Sequence, residues 1–174
     1  MNEFMKALVS EELDPLIPAE KDYFGQLVGE WDLDWISAVG TTKEKRVKGE
    51  WIFSRVLNGT GIQDLFICPS REERKIRNEP DAEYGSTIRM YHPSTGNWEI
   101  YYCCCGEYVR LEAVKEDDKI VLTEKEHGSM KWIFSEITPD RFHWQNVSQN
   151  SEGRWIVRSD CRASRRKPSL MPVY

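Results

Sequence analysis

From Gly29 onwards the chain alternates between polar and apolar residues. Glu30-Trp31-Asp32-Leu33-Asp34-Trp35 sets bulky apolar groups on one side and acids on the other, the period of a strand with one dry face and one wet face. The same alternation returns at 98–102, 109–113, 120–123, 130–134, 142–146 and 155–158. Further strands are expected at 47–57, 61–67 and 85–91, giving about ten strands, many spaced by roughly 8–12 residues. The connections are short and rich in turn formers: Pro93-Ser94-Thr95-Gly96, Glu116-Asp117-Asp118, His127-Gly128-Ser129, Thr138-Pro139-Asp140 and Ser151-Glu152-Gly153. Turns of that length join antiparallel neighbours. Such a meander must stack as two sheets or close on itself, and closure also removes exposed edges. The expected fold is all-β, a closed antiparallel up-and-down barrel of about ten strands.

The chain before Gly29 reads differently. Phe4, Ala7 and Leu8 recur at helical spacing and predict a short N-terminal helix. Pro18 suits a second helix start, with Glu20 and Asp22 in a first turn that favours negative charge. Tyr23, Phe24 and Leu27 give that helix one apolar face, and Gly29 ends it. The domain organisation expected is an N-terminal extension at 1–17, the barrel at 18–163 and a C-terminal tail at 164–174. The stretch 71–83, with four basic and five acidic residues, is the longest connection and reads as a mobile flap.

If the apolar phase points inside, the barrel receives Trp31, Leu33, Trp35, Ile88, Met90, Trp98, Ile100, Tyr102, Val109, Leu111, Ile120, Leu122, Trp132, Phe134, Phe142, Trp144, Trp155 and Val157. That lining is very aromatic. Barrel diameter grows with strand number, so about ten strands leave an internal space that an eight-stranded barrel lacks. Large aromatic side chains can also fill a barrel by themselves. The polar residues Ser86, Tyr102, Asn146 and Ser159 share the inward phase and require hydrogen-bond partners when buried, which a ligand, water or another strand can supply.

Composition narrows the classes. A chain of 174 residues and 20.4 kDa is long enough for one domain with a genuine core. Its 40% hydrophobic residues, with seven Trp, seven Tyr and six Phe, exclude a disordered chain. The net charge is -5, and the acids concentrate early: residues 1–34 carry nine Asp/Glu against two Lys. That balance excludes a nucleic-acid face, and the one basic cluster, Arg162, Arg165, Arg166 and Lys167, adjoins the tail. No run approaches the ~20 apolar residues of a membrane helix, and residues 1–10 lack the features of a signal peptide. The expectation is a soluble cytoplasmic protein without membrane or nucleic-acid partners. The odd set Cys68, Cys103, Cys104, Cys105 and Cys161 then reads as reduced thiols.

Candidate chemistry is sparse. His92, His127 and His143 show no zinc-type spacing, so no metal is expected. As an axial haem ligand His143 would have to face inward, against the phase set by Phe142 and Trp144. There is no Gly-rich phosphate loop and no dinucleotide fingerprint, and no cofactor is assigned. Strand-borne Ser and Cys residues cannot be assembled into a triad from sequence, so catalytic residues are also unassigned. Asp64 and Arg89 stand out as charges within strongly apolar strands. They read either as an exterior pair or as a pair at the cavity mouth, where the planar guanidinium would take a carboxylate or another polar head.

Gly29-Glu30-Trp31, at the start of the first strand, resembles the Gly-x-Trp signature of lipocalins and the wider calycin superfamily. The resemblance implies a Trp that plugs one barrel end beneath an Arg from the last strand, a part for Arg158 or Arg162. The chain departs from lipocalins in strand number, in their other motifs and in secretion features. It is more closely similar to an uncharacterised bacterial domain-of-unknown-function family with a calycin-like barrel. The matching runs are Leu27-Val28-Gly29-Glu30-Trp31, Val56-Leu57-Asn58-Gly59-Thr60-Gly61-Ile62-Gln63-Asp64 and Tyr84-Gly85-Ser86-Thr87-Ile88-Arg89-Met90-Tyr91-His92-Pro93 with Gly96 and Trp98. This resemblance implies a fold and no established activity.

Three functional readings follow. In the first, the barrel binds a small apolar or amphipathic ligand, walled by Trp35, Trp132 and Trp144 and oriented by Ser86, Tyr102 and Asn146, with Arg89 at the entrance. In the second, a hydrolase or isomerase uses the same cavity with Asp64 or His143 as acid or base. In the third, the chain is a homodimeric module that pairs exposed strand faces.

Overall fold

The computed structural model describes residues 2–76 and 82–167. Among them, helix α1 (Glu3–Leu8) precedes ten antiparallel strands: β1 (Gly29–Ser37), β2 (Lys45–Val56), β3 (Gly61–Cys68), β4 (Glu83–His92), β5 (Asn97–Cys104), β6 (Glu107–Glu116), β7 (Lys119–Glu124), β8 (Met130–Ser135), β9 (Arg141–Gln149) and β10 (Trp155–Arg165). Each strand pairs with the next, and β10 returns to β1 in the register Trp31 with Arg165 through Ser37 with Ser159. The barrel is therefore closed and up-and-down. Its last strand runs two residues past 163. No helix among the described residues is long and apolar enough to cross a membrane.

One end is sealed. Ile17, Phe24 and Leu27, from the segment that precedes β1, are buried against Trp31, Trp98 and Phe134. Phe24 meets Trp98 edge-on at 5.3 Å, a preferred arrangement of ring quadrupoles. The segment does not form the predicted helix from Pro18 to Gly29. It makes two short 3-10 turns, Ala19–Lys21 and Gly25–Leu27. The carbonyl of Lys21 accepts from the Trp98 indole at 2.7 Å, and that of Leu27 accepts from the Trp31 indole at 2.8 Å. Barrel side chains thus take backbone acceptors here, and the Lys21 carbonyl is one that a continued α-helix would consume.

The arginine over Trp31 is Arg165, at 4.1 Å from the ring centroid, and neither Arg158 nor Arg162. Arg165 is the direct cross-strand partner of Trp31, whereas Arg158 bonds Ser148 and Arg162 bonds Glu136 at the surface. Arg165 also donates to the carbonyls of Val28 and Gln26. Gly29 has φ +130°, and a Cβ there would lie 2.3 Å from the Arg165 guanidinium. The glycine of Gly-x-Trp is required by backbone conformation and by the arginine together.

Two strands depart from the expected phase. On β4 the buried residues are Gly85, Thr87 and Arg89, while Ile88 and Met90 turn outward. On β10 the register shifts between Val157 and Ser159. This bulge inserts Arg158 and flips the alternation, so Trp155 and Val157 leave the interior phase. Trp155 is 41% exposed, under Lys131.

Outside the wall, Glu50 ties two segments down. It accepts from the Arg71 backbone and guanidinium at 2.6 Å each, and from Arg166 at 3.3 Å. Burial pushes its carboxyl up, but the bonds from Arg71 and the charge of Arg166 outweigh burial and hold it down at about 2. Of the expected flap, residues 71–76 are anchored: Arg74 donates to the carbonyls of Pro69 and Cys68 and lies over Tyr84. Of the remainder, Glu83 already belongs to β4, and residues 77–81, like the tail 168–174, lie outside the described residues.

Candidate functional site

The end opposite the Trp31 seal is built from the last residues of β1, β3, β5 and β9 and the first of β4, β8 and β10. Period-two alternation directs Trp35, Phe66, Tyr102, Trp132, Trp144 and Asn146 inward from these strands. Together with Trp51 and Thr87 they surround a cavity of about 100 Å³, rimmed by Glu83 and Ser159. Trp35, Glu83 and Ser159 also border a wider cleft of about 620 Å³ that contains Ser37, Val47 and Pro69. The cavity therefore continues into the cleft.

The walls are locked by ring contacts. Trp144 stacks on Trp35 at 5.2 Å, meets Trp51 edge-on at 5.8 Å and packs on Trp132 at 5.8 Å. Tyr102 meets Trp132 edge-on at 5.4 Å. Gly85 makes room for Tyr102, because a Cβ at that position would come within 2.6 Å of its ring. The Tyr102 hydroxyl donates to Glu83 at 2.5 Å. Burial first, and then the Glu83 carboxylate, pushes the phenol well above its ordinary range, so Tyr102 remains a protonated donor.

The polar accounting of this end is open. Among the described residues, the indole nitrogens of Trp51, Trp132 and Trp144 and the carbonyl oxygen of Asn146 are buried with no hydrogen-bond partner. Trp51 and Trp144 are 3% and 4% exposed. Buried polar groups of this kind are ordinarily satisfied, and one left unpaired costs about 1–3 kcal/mol. All four belong to residues bordering the same cavity.

The structure gathers five of the seven residues singled out in the sequence, Trp35, Tyr102, Trp132, Trp144 and Asn146, around one space. Ser86 is not among them. It lies on the outer phase of β4, where it accepts from Gln63 and donates to the Asp64 carbonyl. Arg89 is not at the mouth either. It is fully buried in the sealed half, paired with Asp64, with its guanidinium 5.0 Å from Phe24 and 5.2 Å from Phe53. The aromatic faces supply the attraction that water would otherwise give a cation. His143 faces the outer wall, 2.7 Å from Asp160, and does not border the cavity. Among the described residues no three His, Cys, Asp or Glu side chains are grouped to hold a metal ion.

Sequence reasoning missed Trp51, Phe66, Thr87 and Glu83. Trp51-Ile52-Phe53 is an apolar run without alternation, so it gives no phase. Its pairing with Trp31 across β1 and β2 sets which side it faces.

No family model matches the chain, and no curated protein matches it. Solved structures do. The S-type phycobiliprotein lyase CPES from Guillardia theta superposes with a TM-score of 0.59 at 14% identity, over 88% of this chain and 96% of that one. Rv2717c from M. tuberculosis superposes with a TM-score of 0.58 at 11% identity, over 90% and 100%. At such identities the likeness concerns the fold, a closed antiparallel β-barrel.

Proposed function

We propose that this protein binds a small, ring-bearing apolar or amphipathic molecule in the aromatic end of its barrel. The observation that carries this reading is the set of four buried polar groups without protein partners around a cavity that leads into an open cleft. In a filled, purely structural core, buried indole donors are ordinarily paired, as those of Trp31 and Trp98 are. At about 100 Å³ the cavity is smaller than the engineered one of about 150 Å³ that takes benzene, so a bound molecule has only part of a ring inside and the rest along the cleft. Similarity to a fold that includes a protein named as a phycobiliprotein lyase is compatible with binding of a small molecule. The hydrolase or isomerase alternative has less support, because Asp64 and His143 both lie away from the cavity.

The test is a titration of the full chain with one- and two-ring compounds, followed by indole emission and thermal melting. A ligand that occupies the site changes the emission of Trp35, Trp132 and Trp144 and raises the melting temperature, by about 2.7 kcal/mol of stabilisation at a hundredfold excess over Kd. A panel that leaves both signals unchanged discards the proposal.

A further inference from the structure

The charges and donors around the cavity specify more than an apolar ring. We infer that the ligand's buried end is a neutral lactam or cyclic imide, a ring edge on which an N–H stands beside one or two carbonyls. This rests on the binding reading above and narrows it to a chemical class.

Three of the unpartnered groups are indole N–H donors, on Trp51, Trp132 and Trp144, and can be satisfied only by acceptors. The fourth is the carbonyl oxygen of Asn146, which requires a donor. A hydrocarbon satisfies none of them. A carboxylate offers acceptors but nothing to Asn146, and it would enter a space bordered by no Lys, Arg or His and by one acid, Glu83. Burying an anion there without a cation carries a heavy desolvation penalty. An amine would satisfy Asn146 and leave the indoles unpaired. A lactam or imide edge supplies both kinds of group without a net charge. A primary amide such as that of Asn146 presents acceptor and donor side by side, the arrangement by which asparagine reads an adenine edge with two bonds. Asn146 is directly opposite Trp132 across β8 and β9, so one ring edge can meet both. The stacked pair Trp35 and Trp144 favours a flat ring.

The experiment compares four one-ring probes on the full chain labelled with 15N at the indoles: uracil, 1,3-dimethyluracil, benzene and benzoate. The readouts are Kd and the shifts of the Trp side-chain N–H signals, with Trp31 and Trp98 as internal references because their N–H groups are already bonded to Leu27 and Lys21. Uracil is expected to bind at least tenfold tighter than the other three and to move the signals of Trp51, Trp132 and Trp144 selectively. Asn146→Leu, close in volume, should abolish the preference for uracil over 1,3-dimethyluracil while benzene still binds. Trp132→Phe, which keeps the wall and removes one N–H, should weaken uracil and spare benzene. Benzene binding as tightly as uracil, or benzoate binding tightest, overturns the lactam assignment and leaves the ligand-binding reading standing. If none of the four binds, the lactam assignment falls, and the one- and two-ring panel above decides the binding reading separately.

Discussion

At the sealed end the indole N–H of Trp31 donates to Leu27, that of Trp98 donates to Lys21, and Arg165 covers the Trp31 ring. At the open end the N–H groups of Trp51, Trp132 and Trp144 meet no protein acceptor. Residue type is the same at the two ends, and burial nearly so for Trp31 and Trp98 at 0% against Trp51 and Trp144 at 3% and 4%, while Trp132 is half-buried. What differs is whether the indole N–H is paired within the chain. Saturated indoles hold the fold together, and the unsaturated ones are what the binding proposal rests on. Even the sealed end contains its own partner for a charge, since Asp64 answers Arg89 inside the core.

The contrast breaks most strongly if that internal partner is removed. Asp64→Ala strands a guanidinium with no exposure and is expected to cost about 3–5 kcal/mol, read from denaturant midpoints. The double variant Asp64→Leu with Arg89→Met should recover most of it, because an apolar pair avoids both desolvation penalties. A single variant as stable as the parent would show that the pair does not hold the sealed end.

The next effect joins the ends. Glu50 holds Arg71, which follows β3 at the open end, and Arg166, which follows β10 at the sealed end. Its carboxyl titrates at about 2 in the folded protein against 4.5 ordinarily. The stabilisation is therefore complete above pH ~4.5 and is lost as pH falls through about 2, an amount of up to about 3 kcal/mol. Unfolding curves between those limits should be steeper in pH for the parent than for Glu50→Gln, and equal slopes would contradict the clamp.

The smallest effect separates the indoles themselves. Trp31→Phe loses a bonded N–H, a cation contact and packing volume, and should cost about 2 kcal/mol. Trp132→Phe removes an N–H that had no partner, so its cost should stay below about 1 kcal/mol. Melting temperatures decide between them, and equal losses would erase the distinction between the two ends.

Most of the barrel was legible because strand alternation is a local property. Trp31, Trp98, Trp132 and Trp144 face inward as their neighbours in sequence imply. The failures share a physical cause, which is dependence on partners remote in the chain. On β4, Ile88 and Met90 look like core, yet the interior there belongs to Arg89, whose partner Asp64 is supplied by β3. The 3-10 turns that replace the expected second helix depend on indoles arriving from β1 and β5. Five site residues could be read from phase alone, but the unpartnered state of their polar atoms could not. It is a property of what surrounds them in space.

The extra residue at Arg158 has a consequence for how such a lumen can be retuned. Were Arg158 paired in register instead of bulged out, the regular alternation back from Ser159 would carry Val157 and Trp155 on the inner face of β10, next to the cavity mouth that Ser159 now borders. The register of one residue thus decides between an open doorway and an indole stopper while every other wall residue keeps its identity. Slippage at a single bulge, more than any replacement inside, is the economical variable by which proteins of this architecture can diverge in what they admit.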